Sequence, residues 1–222
     1  MKWEACGRLR TSALNLLVQV CFNTAQWIFY AHWRYNAYMS QALRQALRQK
    51  RRAIPDARRQ YLAQTLLHQV QKTLRFEHGQ KVGLFLPNDG EIDTIYIQNF
   101  LKNKGIGIYL PILDGKSLKF AKLGPSLKPN RFGIDEPIKT RVLDAKQLNV
   151  IFMPLVGFDQ QKNRLGMGGG FYDRTLSFKR QQQRFNSPKL YGLAFDCQEV
   201  DQLQAQDWDV PLEGVITPSR SF

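Results

Sequence analysis

The stretch Asn163-Arg164-Leu165-Gly166-Met167-Gly168-Gly169-Gly170-Phe171-Tyr172-Asp173-Arg174 holds four glycines in five positions, flanked by arginines and an aspartate. Glycine accepts positive φ and lets a backbone approach a ligand closely. A helix expected from about residue 171 to 182 would aim its first N–H groups and its dipole at an anion. Arg164 and Arg174 add full charges, and a guanidinium grips phosphate oxygens as a two-pronged fork. The chemistry these types suit is phosphate binding. No Lys-Ser/Thr follows the last glycine, so this is not a Walker A loop. Phe171 takes the final position of the dinucleotide pattern G-x-G-x-x-G, so it is not that loop either. The competing description is a flexible surface loop with solvated arginines. The glycine density ahead of a helix favours the phosphate site.

Charge is distributed unevenly around this loop. Seven basic residues and one acid lie between Ser40 and Gln60. Between Tyr191 and Ser219 there is no Lys or Arg, and six acids: Asp196, Glu199, Asp201, Asp207, Asp209 and Glu213. Such asymmetry suits a nucleic-acid tail. It equally suits a cleft in which basic residues meet phosphates and acids hold a metal.

The elements that must position these residues follow from periodicity. Residues 40–53 carry Ala42, Leu43, Ala46 and Leu47 at helical spacing, with Arg44, Arg48 and Arg51 on a neighbouring face that reads as solvated. Pro55 ends that helix, and a second is expected over 56–73. Strands are expected over 81–87, 105–113, 117–122, 150–156 and 189–195, and a helix over 91–102. The run at 150–156 is apolar at nearly every position, as in a strand covered on both faces. Alternating strands and helices imply an α/β fold: a mainly parallel, mixed sheet flanked by helices in a Rossmann-like three-layer arrangement, with an amino-terminal helical segment. Ligands of such sheets sit beyond the carboxyl ends of the strands. That puts 88–94 and 157–173 on one rim.

Composition bounds the rest. The chain has 222 residues, 43% hydrophobic and 23% charged, with net charge +14. Those proportions are globular and exclude wholesale disorder. No apolar run reaches 18 residues, which excludes a polytopic membrane protein. Three cysteines without metal-ligand spacing point to a reducing compartment. Residues 1–38 differ in character from the rest of the chain, with Trp3, Trp27, Trp33, Cys6 and Cys21 but one acid, Glu4. Three readings compete: a mis-called start with Met39 as the true initiator, which is favoured; an interaction helix; and a targeting segment. Residues 40–222 are expected to form a single domain.

The loop 163–174 resembles the signature of the 5-formyltetrahydrofolate cyclo-ligase (methenyltetrahydrofolate synthetase) family. Supporting matches are Phe152-Met-Pro-Leu-Val-Gly-Phe-Asp159, Phe132-Gly-Ile-Asp-Glu-Pro137, Glu91-Ile-Asp-Thr94 and the basic helix from Leu43 to Arg52. The resemblance spans about residues 40–222. It implies ATP-dependent cyclisation of 5-formyltetrahydrofolate to 5,10-methenyltetrahydrofolate with release of ADP and phosphate. It also implies Mg²⁺, a cytoplasmic setting and a monomer, with no nucleic-acid or membrane partner expected.

The family's sites carry over residue by residue. ATP contacts are implied at Ser40, Gln41, Ala42, Leu43 and Arg44, and from Arg164 through Leu165, Gly166, Met167, Gly168, Gly169, Gly170 and Phe171 to Tyr172. Many members have a basic residue where Ser40 stands, and often tyrosine at Phe171. Folate contacts are implied at Leu86, Glu91 and Met167 to Phe171, and Mg²⁺ ligation at Asp173 and Asp209. Without the resemblance, Asp173 is equally a first-turn acid favoured by the helix dipole, Asp209 a turn acid, and Glu91 half of an Asn88-x-x-Glu91 capping box. No protein nucleophile is required, and His32, His68 and His78 are read as structural or solvated. The alternative is a non-catalytic nucleotide- or RNA-binding protein using the basic helix 40–60. That stretch interleaves no stacking aromatics with its arginines.

Overall fold

The strand Val150–Pro154 shows why the apolar run is continuous. Val150 and Phe152 pack into one core cluster and Ile151 and Met153 into another. Period-two alternation thus feeds two cores, one on each face of a sheet. The computed structural model describes residues 39–181 and 187–222. The expectations for residues 1–38, including the Met39 start, lie outside the described residues. The chain divides into two compact units, Met1–Gln45 and Ala46–Phe222; the sheet and its covering layers belong to the second.

In chain order, helix α1 covers residues 39–52 and α2 covers Asp56–Thr73. Strand β1 (Lys81–Gly83) leads to α3 (Ile95–Asn103), then to β2 (Gly107–Asp114) and β3 (Ser117–Lys122). A small hairpin, β4 (Leu127–Pro129) with β5 (Asp135–Pro137), precedes β6 (Val142–Leu143) and β7 (Val150–Pro154). A second small hairpin, β8 (Gly157–Phe158) with β9 (Arg164–Leu165), is followed by α4 (Phe171–Thr175) and α5 (Phe178–Gln181). Strands β10 (Lys189–Leu193) and β11 (Gly214–Ile216) complete the order.

The main sheet has seven strands in the order β11-β10-β7-β1-β2-β3-β6. The pairs from β11 to β2 are parallel, and β3 and β6 are antiparallel at one edge. The expected mixed, mainly parallel sheet flanked by helices is what is found. On one face, Leu66 and Val70 of α2 and Ile97 and Leu101 of α3 cover Val82, Ile108 and Phe152, all buried. On the other, Leu148, Leu176, Val210 and Leu212 cover Phe120, Ile151 and Val215. Each such buried side chain contributes about 1.5–3 kcal/mol, so the two layers hold the strand ends rigid.

Several boundaries differ from expectation. The helix expected over 91–102 starts at Ile95, because 88–91 form a turn of their own. The helix expected from 171 to 182 breaks after one turn: Ser177 turns its hydroxyl back to the Arg174 carbonyl, and α5 starts at Phe178. β1 pairs over only three residues. The carboxyl ends of β1, β7 and β10 all open on one rim, and residues 84–94 and 155–173 leave from it.

Candidate active site

The glycine loop rises from a rigid base. Asp159 is wholly buried. Its carboxylate accepts the backbone N–H of Asn163, the Asn163 side-chain amide and the N–H of Leu203, each at 2.9 Å. Three donors offset the cost of burying that charge. Val156 N–H donates to the Leu165 carbonyl at 2.7 Å, which closes the hairpin below the loop. Above it the chain is open, with Met167 53% exposed. Gly168 has φ +91° and Gly170, at the amino end of α4, has φ +62°, backbone states that other residues rarely adopt. Because α4 is only five residues long, an anion here would meet the loop's backbone N–H groups and its arginine rather than a long helix dipole.

Arg164 is 6% exposed at its side chain. Its Nη2 donates to Asp173 Oδ1, and its Cζ stands 6.0 Å from the Tyr172 ring centroid. Its Nε is buried with no hydrogen-bond partner among the described residues. A buried, unpaired N–H of a cation is costly and marks a place for an acceptor. Arg174 differs from expectation. Its Nε and Nη2 donate to the carbonyls of Lys116 and Gly169, and its Cζ lies 5.3 Å from the Phe171 ring centroid. It braces the loop.

Asp209 comes from the segment ahead of β11. Its Oδ2 accepts the Gln206 N–H at 2.9 Å. Burial raises its pKa, and the charge of Asp173 adds to the rise; the Gln206 N–H, Arg164 and Arg180 oppose it. Two carboxylates therefore sit within electrostatic reach of each other, with the Arg164 and Arg180 guanidiniums close to Asp209. A cavity of about 490 Å³ opens beside Asp209, bordered also by Arg180, Asp207 and Leu212. Among the described residues no three His, Cys, Asp or Glu side chains converge as a closed metal cage. Two neighbouring carboxylates are hard oxygen donors of the kind that suits Mg²⁺, an ion that keeps several waters, so these residues fit that ion.

Across the rim stands Glu91. Its N–H donates to the Asn88 carbonyl at 3.0 Å, and Asn88 N–H donates to Glu91 Oε2 at 3.1 Å. The central residues Asp89 and Gly90 have φ +52° and +73°, so Asn88–Glu91 is a tight turn. The reciprocal bond of a capping box exists, but it closes this turn; Thr94 stands at the amino end of α3. Burial pushes the Glu91 carboxyl up to about 7, against the pull of Arg51 and the Asn88 N–H. Burial, then the charge of Glu91, pushes the Tyr172 phenol well above its ordinary value, which ties this acid to the glycine-loop side of the site.

The basic run is not a solvated face. Arg51 is fully buried. Its Nε donates to the Asp89 carbonyl at 3.0 Å, its Nη2 to Asp89 Oδ2 at 2.9 Å and its Nη1 to the Leu155 carbonyl at 3.2 Å. Arg48 Nε also donates to Asp89 Oδ2, at 2.6 Å, and Arg52 pairs with Asp89 Oδ1. Arg59 caps the end of α1 through the carbonyls of Ile54 and Arg51, both at 2.8 Å.

The structure thus brings Asp209 within electrostatic reach of Asp173 and Arg164, and Glu91 within reach of Tyr172. Leu86 is half-buried against the helix-side core. Ser40, Gln41, Ala42, Leu43 and Arg44 are helical and belong to the other unit. Sequence reasoning missed three contributors. Phe132, 53% exposed, stands edge-on to Phe171 with ring centroids 5.9 Å apart. Gln198, fully buried, donates to the carbonyls of Leu155 and Val156 at 2.8 and 3.0 Å. Arg51 is the third. An aromatic in the matched motif 132–137 was a usable signal for Phe132; nothing local marks Gln198.

The chain is similar in sequence and fold to known proteins. The model of the 5-formyltetrahydrofolate cyclo-ligase family matches residues 36–218. The 5-formyltetrahydrofolate cyclo-ligase of Escherichia coli is 38% identical over 181 residues, covering 78% of this chain and 97% of its own. That of Haemophilus influenzae is 34% identical over 188 residues, covering 82% and 98%. The solved 5,10-methenyltetrahydrofolate synthetase of Aquifex aeolicus superposes with a TM-score of 0.71 at 25% identity, over 82% of this chain and 91% of that one. The Mycoplasma pneumoniae synthetase gives 0.65 at 27% identity, over 81% and 98%. With a specific loop, a matching fold and relatives over nearly their full length, the chain belongs to the 5-formyltetrahydrofolate cyclo-ligase family.

Proposed function

We propose that the protein cyclises 5-formyltetrahydrofolate to 5,10-methenyltetrahydrofolate at the expense of ATP, releasing ADP and phosphate. The observation that carries this is Arg164. A buried guanidinium with an unpartnered Nε stands at the root of an exposed glycine loop, beside two carboxylates and across from Glu91.

The chemistry explains why such a site suffices. A formyl group on nitrogen is amide-like and a poor electrophile. Transfer of the ATP γ-phosphoryl group to the formyl oxygen makes that oxygen a leaving group. The second folate nitrogen then attacks the formyl carbon and gives up its proton, the C–O bond breaks, and phosphate departs carrying that proton. Phosphoryl transfer asks mainly for positioning and charge neutralisation, which loop N–H groups and Arg164 supply without a covalent intermediate on the protein. Arg164 to Tyr172 cradle the phosphates. Ser40, Gln41, Ala42, Leu43 and Arg44 are carried as ATP contacts by family resemblance alone. Glu91 and Leu86, with Met167 to Phe171, hold the folate, the Glu91 carboxylate accepting hydrogen bonds from the donor-rich pterin edge. Asp173 and Asp209 would hold Mg²⁺, which when bound neutralises phosphate charge.

The engagement of Arg48, Arg51 and Arg59 with Asp89 and with backbone carbonyls favours this reading over RNA binding by the basic run. Among the described residues no helix is long and apolar enough to cross a membrane, and Cys197 is a free thiol. A monomeric state and a cytoplasmic setting are carried by family resemblance. The test is direct: purified protein given Mg-ATP and 5-formyltetrahydrofolate generates the near-ultraviolet absorbance of the methenyl product. Well-folded protein that gives no such signal contradicts the proposal.

A further inference from the structure

We propose that Arg51 is a positioning residue for the folate site, locking the Glu91 turn to the loop after β7 through one buried guanidinium. The inference deepens the assignment of Glu91 as a folate contact and rests on it.

Arg51 reaches both loops at once. Two of its hydrogen bonds go to Asp89, inside the turn that carries Glu91, and a third goes to the Leu155 carbonyl at the start of the segment leading to the glycine loop. Its Nη2 also lies 3.8 Å from Glu91 Oε1. The Gln198 side-chain amide donates to the same Leu155 carbonyl. The turn needs such an anchor, because Asp89 holds a left-handed conformation at φ +52° that costs a non-glycine residue about 1 kcal/mol or more. A lysine could not replace these contacts, since only the planar guanidinium fork serves Asp89 and Leu155 together.

The charge of Arg51 has a second effect. Glu91 is buried, and burial alone favours its protonated form. The charged groups around the pair are Arg48 and Arg52 on α1, Arg59 on α2 and Asp89 on the turn itself, with the Tyr172 phenol facing from α4. Of these, Arg51 is the cation that acts directly on Glu91. It therefore keeps the acid available as a carboxylate for the pterin's donors.

The test compares Arg51→Met, Arg51→Lys and Glu91→Gln by steady-state kinetics across pH 6 to 9, with thermal unfolding as a check on folding. Arg51→Met is expected to raise KM for the folate about tenfold or more at pH 7, with KM for ATP within about twofold. The excess shrinks as pH rises, because Glu91 then ionises without help. A folded Arg51→Met with unchanged folate KM overturns the proposal, and an increase equal at every pH overturns the second effect, that of its charge on Glu91. Should that variant not fold, Arg51→Lys carries the test. Lysine keeps the charge and loses the fork, so folate KM rises while its acid limb stays where the wild type has it. An unchanged KM in the folded lysine variant overturns the proposal as well. Glu91→Gln separates the two levels: if it leaves folate KM untouched, the assignment of Glu91 fails; if it raises KM while the Arg51 variants do not, only the positioning role fails.

Discussion

Arg51 Nη2 and Glu91 Oε1 face each other at 3.8 Å, and their side chains are 0% and 13% exposed. A wholly buried cation thus stands against a nearly buried acid whose carboxyl lies at about 7. Glu91 consequently titrates in the range where the enzyme would work, with consequences for binding and for stability.

Folate binding should weaken as pH falls through about 7. In the proposed site Glu91 accepts from pterin donors above that value, and protonation removes that acceptor below it. KM for 5-formyltetrahydrofolate is expected to rise about tenfold per pH unit below the Glu91 value. Initial rates from about pH 5.5 to 8.5 check this, and a flat KM profile contradicts it.

The same group sets a stability trend of opposite sense. Its folded pKa, about 7, is above the ordinary 4.5, so the native state holds this proton more tightly than the unfolded chain. The contribution is present at acid pH and is lost as pH rises from about 4.5 through about 7. Glu91→Gln removes the penalty, so its melting temperature should exceed the wild type's by more at about pH 8 than at about pH 5. The upper end of the difference is about 3 kcal/mol for the shift from 4.5 to about 7. Equal melting differences at both pH values would count against a buried, titrating Glu91.

Much of the scaffold is legible in sequence because it is governed by local pattern. The apolar run at 150–156 betrays a strand buried on both faces, and the periodicity of α2 and β3 gives their observed limits. The helix after the glycine loop is shorter than its pattern suggests, since Leu176 is drawn into the core and Ser177 turns its hydroxyl back on Arg174. β11 is three residues long, too short for a periodic signal. The glycine loop is legible because its composition is unusual. Arg51 is not: its spacing matches a solvated face, and its partners Asp89 and Leu155 lie 38 and 104 residues away in sequence.

Gly170→Ala probes the loop's backbone. Gly170 has φ +62°, and an added Cβ would come within 2.7 Å of Arg174 Nη1. The arginine can swing aside, but the backbone strain stays and costs about 1–2 kcal/mol. The melting temperature should fall by about 2–8 °C, and KM for ATP should rise more than KM for folate. Wild-type melting and ATP kinetics together would mean the left-handed turn is not required.

Asp173→Ala is expected to keep the fold and reduce kcat by about 100-fold or more, as loss of one element of charge stabilisation does. The Mg²⁺ concentration for half-maximal rate should rise as well. Turnover and Mg²⁺ response like the wild type's would remove Asp173 from the metal role.

In this mechanism the loop from Gly166 to Gly170, with Arg164 behind it, receives the triphosphate of ATP. The decisive experiment is a crystal structure of the protein with magnesium and a non-hydrolysable ATP analogue. The terminal phosphates should lie against the loop's N–H groups, with Arg164 Nε donating to one of their oxygens. A nucleotide seated elsewhere, with that loop turned to bulk water, would refute the phosphate-binding role of the loop and the mechanism built on it.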